Sequence, residues 1–216
     1  MFDFTVIARH LPELSRGAGE TLFVSLLSIL VGFLCGHLLC FGKMSSQRLL
    51  RRACSAYISA IRGTPLLVQL AIIFYCLPLA SINIPALWAA VICLSVNTAA
   101  FQAEILRGGF QALPAGQVEA AYDLGLTPWQ IRMHIQIPQV FRTTLPALFN
   151  ETINTVKNSA LISTIAVTDL MRVSQTLAST TFRPIESYTV AGVMYFTITY
   201  SLSKFGLALE KKLDSH

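Results

Sequence analysis

Glu151, Lys157, Asn158 and Ser159 stand within one apolar stretch and carry the side chains needed to hold a zwitterion. A carboxylate suits an ammonium group, and an ammonium, an amide and a hydroxyl suit a carboxylate. A charge at the bilayer centre costs about 2.5–3.5 kcal/mol on the lower scales, so such groups face a partner or a water-filled cavity. At positions 151 and 157 of one helix the two charges do not face each other. Each therefore meets a ligand, another helix or the interface. Glu104 is a third charge of this kind, read first as the ion-pair partner of Arg107 or Arg62 and second as a pathway residue. Asn97, in the middle of an apolar run, either lines a pathway or bonds a neighbouring helix.

The chemistry that is missing narrows the function. There is no clustered nucleophile and base, no His-Glu-x-x-His and no pair of intramembrane aspartates, so the chain does not read as an enzyme. Gly42-Lys43 misses the phosphate-binding loop, because His37 stands where its first glycine belongs and Met44 where Ser or Thr belongs. Any ATP used must be bound elsewhere. His37 and His134 have no ligand company, and Cys35, Cys40, Cys54, Cys76 and Cys93 show no C-x-x-C spacing, so neither a metal site nor a disulfide framework is expected.

Lipid is the solvent that the composition implies. Of 216 residues 54% are hydrophobic and 12% charged, and the mean hydropathy is +0.60. Charge spacing predicts about five transmembrane helices, near 20–42, 56–80, 85–106, 143–167 and 187–207, in one all-α membrane domain. Ser81 to Pro85 supplies the turn between the second and third. The first run is too long for the apolar part of a cleaved signal peptide and is read as a helix. Gly32 and Gly36 form a G-x-x-x-G pair suited to close helix packing, more readily within the chain than between protomers.

Positive charge then orients the chain. Lys43, Arg48, Arg51 and Arg52 follow the first span, Arg107, Arg132 and Arg142 lie between the third and fourth, and Lys211 and Lys212 end the chain. All fall on one face, which is expected to be cytoplasmic. The opposite face mixes Arg9, Arg16, Arg172 and Arg183 with Asp3, Glu13, Glu20, Asp169 and Glu186, so the N-terminus is expected outside. Topology accounts for the net charge of +5 without nucleic acid. The outer segment 168–186 is long enough for a short helix over the pathway or toward a partner.

The polar insert 107–142 has helical signals of its own. Pro114 suits a helix start, Val118 to Leu124 reads as a short helix, and Gly125 can take the left-handed conformation that ends one. Thr127, Pro128 and Gln130 fit an N-cap, a first helical position and a capping box, and Pro138 is expected to stop this second helix. Two short helices at a tight corner make a knob at the membrane surface. On it Ala120 and Ala121 permit close backbone approach, Glu119 lies near a helix N-terminus, and Trp129 and Met133 form an apolar pair that faces a partner or the chain's own helices.

Glu119-Ala120-Ala121, Gly125 and Ile135-Gln136-Ile137-Pro138 resemble the EAA loop of permease subunits of binding-protein-dependent ABC importers. The segments Arg62 to Gln69, Asn97 to Ala100, Ala103 to Gly109 and Asn158 to Leu161 resemble the polar amino acid group, which carries histidine, arginine, lysine, glutamine, glutamate and cystine. The likeness runs from about Gly19 to Leu213. Ile137 stands where many relatives have Leu, and Asn158 where some have Asp, which removes a possible partner for a cationic substrate.

The resemblance implies a membrane subunit of the bacterial inner membrane that imports polar amino acids, with the knob cytoplasmic. Glu119, Ala120, Ala121, Gly125, Trp129, Ile137 and Pro138 would contact a separate ATPase. Implied partners are a second permease, identical or paralogous, two ATPase subunits that carry ATP and Mg, and a periplasmic or lipid-anchored binding protein. The chain itself would bind no cofactor. The competing reading is a non-transporting membrane anchor or sensory subunit that recruits an ATPase.

Overall fold

The computed structural model describes residues 9–214, and all of its regular structure is helical. Asp3, counted above with the outer charges, lies outside the described residues. The first helix, α1, runs Leu11–Lys43 and is about 50 Å long at 1.5 Å per residue. It begins well before the charge-free stretch because packing, rather than the last charge, sets its start. Leu14, Gly17 and Ala18 are buried, and a Cβ on Gly17 would stand 3.0 Å from the Leu170 backbone.

The main partner of α1 is α4, Ala86–Ala112. Gly32 and Gly36 allow this contact inside the chain. A Cβ at Gly32 would come within 2.9 Å of Thr98, and one at Gly36 within 3.1 Å of the Ala99 carbonyl. The helix backbones thus approach where no hydrophobic effect drives association. Buried small residues of α4, including Ala99, Ala100 and Ala103, fill the seam.

The expected span 56–80 is not one rod. It divides into α2, Arg48–Arg62, and α3, Leu66–Ala80, bent by 104° at the break. Pro65 disfavours helix at the residue before it, and Gly63 ends α2. Arg62, Gly63, Thr64 and Pro65 make a polar break inside the expected span, and α2 itself carries Arg48, Arg51, Arg52 and Arg62. Gln69 closes the elbow: its amide donates to the carbonyls of Ile61 (2.8 Å) and Thr64 (3.1 Å) and to the Thr64 hydroxyl (2.9 Å). A left-handed Ser81 ends α3, and α4 starts after Pro85.

The insert holds α5, Ala115–Asp123, and α6, Pro128–Gln130; α7, Ile137–Asn158, returns into the membrane layer. A tight helical stretch, Ser159–Ile165, leads to α8, Leu170–Thr181, and α9, Pro184–Asp214, completes the fold. Among the described residues α1 and α4 are long and apolar enough to cross a membrane, and α2 with α3 adds a third crossing if counted as one broken span. At 22 and 31 residues α7 and α9 have the length but are more polar.

The end of the bundle away from the knob is tied by Asp169, which is fully buried. Its carboxylate accepts the backbone N–H of Arg172 (2.9 Å) and Met171 (3.3 Å), capping α8, and the Tyr195 hydroxyl of α9 (3.2 Å). Burial pushes this carboxyl above its ordinary range, and the bonds oppose the shift. Thr21 of α1 accepts the Leu170 N–H (3.1 Å), so three helices meet at one point.

Candidate functional site

The knob is built by its own end-caps. Gly125 sits at φ +79°; its N–H donates to the Tyr122 carbonyl (2.9 Å) and that of Leu126 to Ala121 (3.1 Å), a paired closure that needs a left-handed residue after α5. The chain then enters α6 at once. The Thr127 hydroxyl accepts the Gln130 N–H (3.4 Å), and Gln130 Oε1 accepts the Thr127 N–H (2.9 Å). The corner is therefore held by hydrogen bonds within the knob.

Pro138 does not stop the second helix. Residues Ile131–Gln136 widen into a π-helical stretch, and the Ile137 N–H donates to the Arg132 carbonyl, five residues back. The wider turn carries the helix past the proline, which sits in the opening turn of α7. Gln139 Nε2 donates to the Ile135 carbonyl (2.9 Å), satisfying a group next to the break. Residues 128–158 are thus one helical rod from the knob to the membrane layer.

Two residues seat the knob on itself, Ala121 and Ile131, both buried. The remaining coupling candidates face outward: Glu119, Ala120, Trp129 and Pro138 are exposed and Ile137 is half-buried. The apolar face extends beyond the expected pair, because Leu124 (80% exposed), Trp129 (64%), Tyr122 and Met133 all lie open. Ala120 and Ala121 therefore do different jobs. The Arg132 guanidinium stacks over the Phe41 ring at 5.6 Å, and Phe41 contacts Phe110 at 5.9 Å, which joins the rod to the C-terminal ends of α1 and α4.

Glu104 lies close by. It accepts from Lys43 Nζ (2.6 Å) and Arg107 Nη2 (2.8 Å), with Arg62 Nη1 at 3.8 Å. This is an ion-pair hub between α1, α2 and α4, with no carboxylate oxygen left facing a pathway. Sequence reasoning named Arg107 and Arg62 and missed Lys43, whose place at the end of the first span was the available signal.

The other proposed pathway residues do not converge. Asn97 is buried, and its amide donates to Gln69 Oε1 (3.3 Å), so it bonds α4 to the elbow. The Ser159 hydroxyl is buried and donates to the Val156 carbonyl (2.7 Å). Asn158 is half-buried, Lys157 is exposed and Glu151 is buried with no ion pair to Lys157 among the described residues. Lys157 belongs instead to an exposed stripe. Thr143, Ala147, Asn150, Asn154 and Lys157 are all exposed at helical spacing along α7. Sequence reasoning missed Asn150 and Asn154, which carry no charge; their recurrence on one face was the signal. Beside the N-terminal end of α1 is a groove of about 400 Å³ lined by Glu13, Arg16, Glu20, Arg172 and Thr176.

Comparison with known proteins adds an independent line. Residues 28–215 match the family described as binding-protein-dependent transport system inner membrane component. The chain is 35% identical over 215 residues to the arginine transport system permease protein ArtQ of Bacillus subtilis (strain 168), covering 99% of this chain and 98% of the relative. It is 36% identical to the L-cystine transport system permease protein TcyB of the same organism, covering 95% and 88%. A solved structure described as an amino acid ABC transporter with histidines superposes with a TM-score of 0.94 at 39% identity, covering 98% of this chain and 99% of that one.

Proposed function

The chain belongs to the family of inner membrane components of binding-protein-dependent transport systems, and from that premise we propose that it is the permease subunit of an ATP-driven importer of polar amino acids. The observation that carries the reading is the continuous rod: a knob with an open apolar face runs, without a break in the helix, into a membrane helix with an open polar stripe. Relatives named for arginine and cystine transport support the substrate class.

In this mechanism the face of Tyr122, Leu124, Trp129 and Met133 enters a groove on a cytoplasmic ATPase, which holds the ATP and Mg. Burying such side chains contributes about 1.5–3 kcal/mol each, enough to hold the knob through a cycle. Because the caps at Gly125 and Thr127 make it stiff, closure of the ATPases moves the knob as a body, and the rod carries that movement to α7. A second permease, identical or paralogous, faces the stripe of α7 and encloses the pathway. Asn150 and Asn154 offer donors and acceptors to a zwitterion, Lys157 meets its carboxylate, and Glu151 lies beside the stripe for its ammonium group. A binding protein delivers the amino acid to the outer face, where the groove beside α1 carries both signs of charge.

This orientation puts the knob and C-terminus in the cytoplasm and the N-terminus outside, in line with the positive charge at the knob end. The polar stripe disfavours a mere anchor or sensor, which has no use for water-facing asparagines in a membrane helix. The test is reconstitution with an ABC ATPase and an amino acid binding protein from the same organism. ATP-dependent uptake of a polar amino acid is expected, lost in Asn154→Leu with ATPase docking retained. Docking without uptake by the unaltered protein would leave the anchor reading standing.

A further inference from the structure

A second concentration of charge lies away from the knob's docking face, at the start of α2. Arg48, Arg51 and Arg52 fall within five consecutive residues, and all three are exposed. Among the described residues none of them has a carboxylate partner, because Glu104 takes Lys43, Arg62 and Arg107. Arg51 Nη1 donates only to the Ser45 carbonyl (3.3 Å).

Three features make this arrangement unfavourable by itself. Arg48 and Arg52 are like charges one turn apart, which destabilises a helix. Both sit in its first turns, where the dipole favours negative charge, and α2 has no acidic residue there. The N-cap Gln47 makes no side-chain hydrogen bond. One anion relieves all three.

The surroundings say where the anion comes from. The chain leaves α1, an apolar crossing helix, at Lys43 and enters α2 at Arg48, so these arginines stand at the edge of the bilayer. Between and beside them Leu49 is 84% exposed, and Leu50 and Met44 are also open. Buried Cys54 and Ile58 hold the side of the helix opposite Leu49 against the protein, with Arg51 exposed at the margin of that side. Apolar side chains and arginines on one exposed helix end match the boundary between acyl chains and headgroups.

We propose that Arg48, Arg51 and Arg52, with Leu49 beside them, form a binding site for the phosphate headgroup of an anionic phospholipid. The arginines take the phosphate oxygens and Leu49 enters the acyl layer. Which leaflet supplies the lipid rests on the orientation given under Proposed function; the site itself rests only on the membrane crossing of α1.

The test is native mass spectrometry of the full chain, released from nanodiscs of equal phosphatidylglycerol and phosphatidylcholine. The unaltered protein is expected to retain phosphatidylglycerol. R48Q/R51Q/R52Q should lose that preference about a hundredfold, from about fivefold per arginine near the surface. R48K/R51K/R52K should keep most of it, and circular dichroism melts of all three forms should show that they fold. Equal retention of the two lipids by the unaltered protein would overturn the site. So would displacement of the lipid by millimolar inorganic phosphate, or its loss when the ATPase subunit binds, since the arginines would then serve a free anion or a protein. Uptake assays on the same preparations report separately on the transport reading.

Discussion

Glu104 and Glu151 lie on helices that pack together, and the chain treats them in opposite ways. Glu104 has three cations around it, drawn from three helices. Glu151 is the more deeply buried of the two, yet has no cation at ion-pair distance among the described residues. The surfaces around them follow the same division. Around Glu104, α1 and α4 satisfy one another, with glycines facing backbone and small side chains closing the seam. Around Glu151 the rod of residues 128–158 leaves an apolar face open at the knob and a polar one open along α7. A region complete in itself holds the fold, and a region left incomplete leaves its surface open.

Breaking the complete region should cost the most stability. Glu104→Ala leaves Lys43, Arg62 and Arg107 facing one another, and removing one partner of a buried pair costs about 3–5 kcal/mol. With 15% of the Glu104 side chain exposed, about 3 kcal/mol is expected, read as a lower thermal midpoint in detergent. Lys43→Met in the same protein should recover part of it; an unchanged midpoint in Glu104→Ala would remove the hub from the fold.

On the incomplete side the loss should appear in binding instead. Trp129→Ala removes an exposed ring, so stability should stay within about 0.5 kcal/mol, while affinity for the ATPase falls by about 2 kcal/mol, as at an aromatic hot spot. Equal binding by the two proteins in a titration would show that Trp129 is not in the contact.

Gly125→Val tests the corner between the two helices of the knob. Nothing lies within 4 Å of a Cβ there, so the effect comes only from the left-handed backbone at φ +79°, about 1–2 kcal/mol. Uptake should drop about tenfold, whereas Gly116→Ala, also in open space but without positive φ, should be neutral. Similar losses in both would point to a simple need for space.

Asn154→Ala tests the polar stripe. A loss of about 1 kcal/mol is expected, because Asn154 also hydrogen-bonds the buried Glu151 carboxyl, together with a raised KM for uptake. A destabilised protein with unchanged KM would assign Asn154 to packing.

Much of this division was legible in the residues, and what was legible was local. Gly125, Thr127 with Gln130, and Pro85 each act through bonds to near neighbours in sequence, and the structure uses them as their chemistry dictates. Partnerships across the fold were not. Lys43 reaches Glu104 from another helix, and Asn97 spends its amide on Gln69 of the elbow. The elbow falls at Arg62, Gly63, Thr64 and Pro65, whose polar break was visible in the sequence but not the direction in which the chain turns there. Pro138 misled because a proline normally ends a helix, and only the preceding π turn lets this one continue. Ser159 looked available for a ligand until its hydroxyl proved to be bonded to its own helix.

The account depends on the knob being a handle in the cytoplasm that an ATPase grips. The direct measurement is labelling of Gln130→Cys by a membrane-impermeant thiol reagent in vesicles of both orientations, with and without the ATPase, against the parent protein as the background for its five native cysteines. Labelling is expected only in inside-out vesicles, and it should be blocked when the ATPase binds. Labelling from the periplasmic side, or equal labelling with the ATPase bound, would contradict it.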